Sequence, residues 1–179
     1  MQTGRRAVMA GGAALVAGAA APATAWQFEW PSLDEGILKL ADYRGKALLV
    51  VNTASFCAFT PQYKQLESLH AHLAPRGFAV IGCPSQDFGQ ESGTNAEVKA
   101  FCELTYGVEF PMAAIGHVRG DAAAPFYKWV RAEKQWEPRW NFFKVLIARD
   151  GSIAGTFGAD DEPGRGPLSR ALKAVLAPA

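Results

Sequence analysis

The chain has 179 residues, of which 49% are hydrophobic and 20% are charged. These proportions are typical of one globular domain, and they exclude a disordered or collagen-like chain. The formal net charge of +1 argues against nucleic acid or an anionic membrane surface as the main partner. Three cysteines are too few for a disulfide scaffold, but they suffice for a reactive thiol and a partner thiol.

The first 25 residues have the pattern of a cleaved secretory signal peptide. Arg5 and Arg6 give it a positive start, and an uncharged run rich in Ala and Gly follows over 7–21. The sequence ATA at 23–25 fits a cleavage site, which predicts a mature domain over 26–179. The paired arginines suit the twin-arginine route as well as the general secretory route. We therefore predict a periplasmic or otherwise exported protein, with an uncleaved membrane anchor as the weaker alternative.

The mature region alternates strand and helix signals in the order β-α-β-α-α-β-β-α. Two short apolar runs, at 47–52 and 77–82, are typical of strands buried on both faces. The helix predicted between them completes a right-handed βαβ unit, and Asp150-Gly151 indicates a hairpin turn. This order predicts an α/β fold with a mixed central sheet flanked by helices and no stable membrane insertion, since no later run reaches the roughly 20 apolar residues of a membrane helix. The other predicted elements are helices at 60–73, 95–102, 125–131 and 168–176 and strands at 142–149 and 152–157.

Cys57 lies between the first buried strand and the helix that follows it. Functional sites of α/β folds lie at the carboxyl ends of such strands, and a helix N-terminus stabilises a thiolate, the nucleophilic form of cysteine. Position 60 holds Thr, so the CxxC pair of a thioredoxin-type reductase or isomerase is missing. From these residues alone, Cys57 is either a catalytic thiol or a small buried side chain.

The surroundings of Cys57 resemble a known signature. The sequence NTASFCAFTPQY at 52–63 is similar to the peroxidatic motif N-x-A-S-x-C-G-x-T-P-Q-Y of the glutathione peroxidase family. Four further blocks that resemble this family follow its order, at 43–46, 82–93, 101–111 and 140–146. The resemblance covers nearly all of the mature region. It implies a thioredoxin-like fold with an added N-terminal hairpin and a helical insertion.

The resemblance also implies a role for each member of the site. Cys57 matches the peroxidatic residue, which attacks the peroxide O–O bond and becomes a sulfenic acid. Gln90, Trp140 and Asn141 match the side chains that surround this residue in the family. Their neutral N–H donors can stabilise a thiolate and a developing alkoxide without adding charge. The expected activity is reduction of hydrogen peroxide and organic hydroperoxides, with no cofactor and no metal.

Three features near the site depart from the family pattern. The loop before Gln90 is one residue shorter than usual, so Gln86 is an alternative source of the amide. Ala58 replaces a glycine and Phe56 replaces a commonly polar or basic residue, and neither change removes a reacting group. Because Phe56 and Phe59 make the mouth of the site apolar, we expect it to tolerate lipid or organic hydroperoxides.

Cys102 matches the resolving cysteine of the family's thioredoxin-dependent, two-cysteine branch. A disulfide with Cys57 requires the two Cα atoms to come within about 7 Å, so we expect the segment 95–107 to unfold locally during turnover. The alternative for Cys102 is a buried helix residue without a chemical role. Cys83 is predicted to be inert packing, and Ser85 stands where many members carry another cysteine.

The presence of Cys102 implies a thioredoxin-like protein, rather than glutathione, as the reductant. The stretch 131–139 lacks the long insertion that tetrameric members use for assembly, which implies a monomer. Three other functions fit the same residues. They are a redox sensor or relay that passes the oxidation of Cys57 to another protein, a one-cysteine glutathione-dependent peroxidase, and a non-catalytic binding protein with a thioredoxin fold.

Overall fold

The structure is a computed structural model, and it describes residues 23–177. Most of the predicted signal segment, residues 1–22, lies outside the described residues. None of the helices within 23–177 combines the length and the apolar character needed to cross a membrane. The elements are β1 (Glu29–Pro31), β2 (Ile37–Lys39), β3 (Ala47–Thr53), α1 (Gln62–Leu73), β4 (Phe78–Pro84), α2 (Asn95–Phe101), α3 (Pro125–Lys134), β5 (Lys144–Ile147), β6 (Ile153–Phe157) and α4 (Gly166–Val175).

Strand β3 is an inner strand of a four-stranded sheet with the order β4-β3-β5-β6. It pairs in parallel with β4 through the α1 crossover, and antiparallel with β5 on its other side. All seven residues of β3 and of β4 are buried, as expected for strands covered on both faces. The mixed sheet confirms the predicted α/β, thioredoxin-like fold. The N-terminal hairpin is also present, as the antiparallel pair β1–β2.

Side chains that alternate along β3 face two separate cores. Leu49 belongs to the core that β3 forms with α1, α2 and α4, whereas Leu48 faces α3 and the N-terminal segment. Cys57 and Cys102 both lie in the first core, and Cys83 lies in the second. The two thiols of the predicted disulfide are therefore on the same side of the sheet, with Cys83 on the opposite side.

Two predicted boundaries shift for reasons of backbone conformation. The first helix begins at Gln62 rather than at residue 60, because the residues before it form tight turns in which the N–H of Thr60 donates to the carbonyl of Cys57 and the N–H of Gln62 donates to that of Phe59. The strand predicted at 142–149 begins only at Lys144, because Phe142 has a φ of 60°, in the left-handed region that strands exclude.

The helix predicted at 95–102 ends in a different geometry from the one expected. After α2 the chain widens into a π-helical turn, Cys102–Tyr106, which ends at Gly107 in the left-handed conformation. The N–H of Gly107 donates to the carbonyl of Cys102, five residues back, as well as to the carbonyl of Glu103. Single π-turns within helices frequently occur at functional sites, and this one begins at the predicted resolving cysteine.

The segment before β1 packs against the turn between β5 and β6. The N–H of Ala25 donates to the carbonyl of Gly151 at 2.8 Å, and Trp26 Nε1 donates to the carbonyl of Asp150 at 3.1 Å. Gly151 has a φ of 88°, and a Cβ at this position would overlap the Trp26 indole. The predicted Asp150-Gly151 turn therefore serves two purposes, since it joins two strands and holds the N-terminal segment.

Candidate active site

Cys57 lies in the turn between β3 and α1, and it is 8% exposed. Thr60 closes this turn, since its Oγ1 accepts a hydrogen bond from the N–H of Cys57 and donates one to the carbonyl of Ala54, both at 2.9 Å. The N–H of Phe59 donates to the sulfur of Cys57 with an N–Sγ distance of 3.5 Å. The sulfur therefore accepts one backbone hydrogen bond, within the turn that leads into the N-terminus of α1.

Gln90 and Asn141 meet beside the Cys57 turn. Asn141 is fully buried, and its Nδ2 donates to Gln90 Oε1 at 2.8 Å. The main chain of Gln90 contacts the turn directly, because its carbonyl accepts the N–H of Phe56 at 2.9 Å. The structure thus places Gln90 and Asn141, which are hydrogen-bonded to each other, next to the turn that carries Cys57.

The alternative amide, Gln86, has a different position. Its Nε2 donates to the carbonyls of Glu91 and Ser92 at 3.1 and 2.6 Å. Gln86 therefore fastens the loop on which Gln90 lies. The shorter loop does not displace Gln90 from Asn141.

Trp140 lies at the edge of this arrangement. Its side chain is 41% exposed, and its ring packs against Phe88 with the ring centroids 5.5 Å apart. Its backbone is fixed by the buried Asn52, whose Nδ2 donates to the Trp140 carbonyl and whose Oδ1 accepts the N–H of Phe143, both at 3.0 Å. Asn52 is the first residue of the peroxidatic motif. Only the tertiary structure reveals that its side chain holds the backbone around Trp140 and Asn141 at the end of β3.

Ser55 and Glu91 form a second connection that the sequence pattern did not reveal. Glu91 is 7% exposed, and its Oε1 accepts hydrogen bonds from the N–H and the hydroxyl of Ser55. The same oxygen accepts the N–H of Ser92 at 2.8 Å. Burial raises the pKa of the Glu91 carboxyl, and the hydrogen bonds from the two serines oppose that effect.

Cys102 is a free thiol that is 1% exposed. Burial raises the pKa of this thiol to about 11, the Tyr63 hydroxyl opposes the shift, and the negative charges of Glu91 and Glu103 add to it. Cys102 is therefore protonated at neutral pH and enclosed in the conformation described. Burial likewise raises the pKa of the Cys83 thiol to about 12, as expected for inert packing.

Residues 25–131 match the family model described as glutathione peroxidase. The chain belongs to the glutathione peroxidase family. This match confirms the predicted family and the predicted class of enzyme, a peroxidase among the oxidoreductases. Trp140 and Asn141 lie beyond the matched residues, so their assignment depends on the local motif and on the contacts described above.

Several relatives of this glutathione peroxidase family member cover most of its length. It is 39% identical over 151 residues to the hydroperoxy fatty acid reductase gpx1 of Synechocystis, across 78% of this chain and 89% of that protein. It is 41% identical over 128 residues to the glutathione peroxidase-like peroxiredoxin gpx1 of Schizosaccharomyces pombe, across 69% and 81%. The crystal structure of Trgpx in apo form aligns with a TM-score of 0.69 at 34% identity, across 88% of this chain and 99% of that chain.

The rim of the site in this family member is apolar. Phe56 is 66% exposed, and its ring lies 6.3 Å from that of Phe101, the residue before Cys102. Leu104, on the π-helical turn, is 87% exposed. Exposed apolar side chains therefore border both the peroxidatic turn and the segment that carries Cys102.

Proposed function

We propose that this family member is a two-cysteine thiol peroxidase that acts on hydrogen peroxide and organic hydroperoxides through Cys57. The observation that supports this most directly is the hydrogen-bonded pair of Gln90 and Asn141 next to the Cys57 turn. In the first step the Cys57 thiolate attacks a peroxide oxygen, so that an S–O bond forms and the O–O bond breaks. The departing oxygen takes up a proton and leaves as water or an alcohol, and Cys57 becomes a sulfenic acid.

The amide pair stabilises the charge that moves during this step. Asn141 occupies the side-chain oxygen of Gln90, which orients the Gln90 amide and leaves its nitrogen to donate to a peroxide oxygen. Such donors act without reorganisation because they are already fixed by the fold. The indole N–H of Trp140 belongs to the same proposed set of donors.

Cys102 resolves the sulfenic acid in the second step. Its thiol loses a proton, its sulfur attacks the sulfur of Cys57, the S–S bond forms, and the Cys57 S–O bond breaks to release water. Because Cys102 is enclosed and protonated in the structure, this step requires the π-helical turn to open. A cleft of about 480 Å³ borders this segment and is lined in part by Cys102 and Glu103.

A thioredoxin-like protein then reduces the disulfide, and the exported location predicted from the N-terminal pattern is part of the same proposal. The name of the Schizosaccharomyces pombe relative, a peroxiredoxin, supports a protein reductant. The apolar rim and the name of the Synechocystis relative, a hydroperoxy fatty acid reductase, support organic hydroperoxides as substrates. We propose that the protein works as a monomer.

The test is mass spectrometry of the reduced protein after one equivalent of hydrogen peroxide. We expect a Cys57–Cys102 disulfide within seconds, lost in Cys57→Ser and in Cys102→Ser. The matched control Cys83→Ser removes the third thiol and should form the disulfide at an unchanged rate. A Cys57 that stops at the sulfenic acid and takes up added glutathione would instead identify a one-cysteine peroxidase. A Cys57 that does not react with peroxide would refute the proposal.

A separate measurement distinguishes an enzyme from a redox relay. Steady-state consumption of peroxide is followed with thioredoxin, thioredoxin reductase and NADPH. Sustained turnover supports the peroxidase. A disulfide that forms rapidly but is reduced only by transfer to another protein would favour the relay.

A further inference from the structure

Glu91 is a buried acidic residue that takes no direct part in the proposed reaction with peroxide. Its Oε1 accepts three hydrogen bonds, from the N–H of Ser55 at 3.1 Å, from the Ser55 hydroxyl, and from the N–H of Ser92 at 2.8 Å. Its Oε2 is buried and has no hydrogen-bond partner among residues 23–177. The carboxylate is therefore engaged through one oxygen, and two of its three donors belong to a single residue of the peroxidatic turn.

The contacts of Glu91 lie close to the reacting sulfur of Cys57 along the chain. Ser55 lies two residues before Cys57, and Gln90 immediately precedes Glu91. The carbonyl of Gln90 accepts the N–H of Phe56, so Gln90 and Glu91 hold two consecutive residues of the turn. The same loop therefore carries both the Gln90 amide and the groups that fix the sulfur relative to it.

An ionised carboxylate is an unfavourable group to bury if its only role is structural. Burial of an ionised carboxyl costs far more free energy than burial of a neutral amide. In return, a charged acceptor forms shorter and stronger hydrogen bonds than a neutral one. The strong hydrogen bonds that Glu91 accepts from Ser55 thus hold the peroxidatic turn more rigidly than a neutral acceptor would.

We propose that Glu91 is a positioning residue for peroxide reduction, whose carboxylate fixes the turn at Ser55 so that Cys57 and the Gln90–Asn141 pair meet the same peroxide. This inference rests on the proposed peroxidatic role of Cys57. It assigns Glu91 to the first step of the cycle, in which misplacement of the sulfur by a fraction of an ångström slows the reaction. Glu91 itself does not contact the substrate.

The experiment measures the second-order rate constant for oxidation of Cys57 by hydrogen peroxide, by rapid quenching and intact-mass spectrometry. Glu91→Gln keeps the shape and one acceptor oxygen but removes the charge, and it should lower the rate constant about tenfold at pH 7. Ser55→Ala removes one of the three donors and should lower it about threefold. Glu133→Gln, which removes an exposed carboxylate elsewhere, is the matched control and should change nothing.

The double variant tests whether the two residues act together. If Glu91 acts through Ser55, the rate constant of Glu91→Gln/Ser55→Ala should be close to that of Glu91→Gln alone. Effects that multiply would show that the two side chains act independently, and they would overturn the proposal. A rate constant for Glu91→Gln within twofold of the wild type would overturn it as well.

The pH profile provides a readout that a merely structural role would not alter. Because burial raises the pKa of the Glu91 carboxyl, the advantage of the wild type over Glu91→Gln should decrease as the pH falls through that pKa. The titratable groups that face Glu91 from other elements are Tyr63 and Cys102, whose pKa values are both raised, so they stay neutral in this range. A ratio of rate constants that does not vary with pH would contradict the proposal.

Two further variants, Ser55→Ala and Cys57→Ser, distinguish failure of the Glu91 role from failure of the proposed function. If Glu91→Gln fails to fold, Ser55→Ala still decides, because an unchanged rate constant in that variant would overturn the positioning role. Cys57→Ser tests the premise. A loss of oxidation in Cys57→Ser combined with a wild-type rate constant in Glu91→Gln would refute only the role of Glu91, whereas oxidation that persists in Cys57→Ser would refute the proposed function.

Discussion

Replacing Thr60 by Val should destabilise the protein through the turn that carries Cys57. Thr60 is 4% exposed, and its hydroxyl makes two buried hydrogen bonds, one with the N–H of Cys57 and one with the carbonyl of Ala54. Valine has nearly the same shape, so no cavity forms, but both backbone groups lose their partner. Each buried group left unsatisfied costs about 1–3 kcal/mol, so we expect the free energy of unfolding to fall by about 3 kcal/mol.

Urea unfolding followed by tryptophan fluorescence measures this change. Thr60→Ser is the matched control, since it keeps the hydroxyl and loses only a methyl group, at a cost of about 1 kcal/mol. The midpoint should fall clearly in the Val variant with an unchanged dependence on urea. A Val variant within about 0.5 kcal/mol of the wild type, or a Ser variant as unstable as the Val variant, would show that these two hydrogen bonds do not support the turn.

Three further outcomes follow from buried groups elsewhere. Gly151→Ala should lower the free energy of unfolding by about 2 kcal/mol or more, because a Cβ would overlap the Trp26 indole and the positive φ disfavours it; a melting temperature equal to that of the wild type would contradict this. Burial lowers the pKa of the wholly buried Lys144 to about 8, so between pH 8 and 10 the folded state binds fewer protons than the unfolded state, and this lysine makes stability rise with pH. From pH 8 to pH 10 the unfolding free energy of the wild type should therefore rise relative to that of Lys144→Met. A difference between the two proteins that stays constant over this range would contradict the lowered pKa of Lys144. In the reduced protein, iodoacetamide should modify Cys102 far more slowly than the same residue in urea at pH 8, because the folded thiol is enclosed and burial raises its pKa to about 11; peptide mapping with equal rates in the two states would contradict the enclosure.

The sequence predicted the central strands because their signals are local. The apolar runs at 47–52 and 77–82 are continuous, and β3 and β4 occupy the same stretches, ending one and two residues later. The ordered motif blocks likewise predicted the peroxidase family. The hydrogen bond between Gln90 and Asn141 is visible only in the structure, since the two residues are 51 apart in sequence.

What the sequence did not reveal depends on contacts between distant residues. Glu91 and Ser55 are 36 residues apart, and no local pattern indicates that a carboxylate here is buried. No residue type within 102–106 marks the π-helical turn after α2, because the turn is defined by a backbone hydrogen bond that spans five residues. The positive φ of Phe142 could not be predicted from the sequence either, because an aromatic residue adopts the left-handed conformation only where the tertiary structure imposes it.

The π-helical turn makes the number of residues between α2 and Gly107 matter as much as their identity. Deleting one residue within Cys102–Tyr106 would let the carbonyls of this segment pair at α-helical spacing. Because a π-helical turn holds one extra residue within a single turn of helix, the chain on either side of the deletion would keep its orientation. Cys102 would stay in the core that it shares with Cys57, now at the start of a regular helical turn. Among relatives, a change in the length of this segment should therefore mark a change in how readily the segment opens for resolution of the sulfenic acid, even where the cysteine itself is kept.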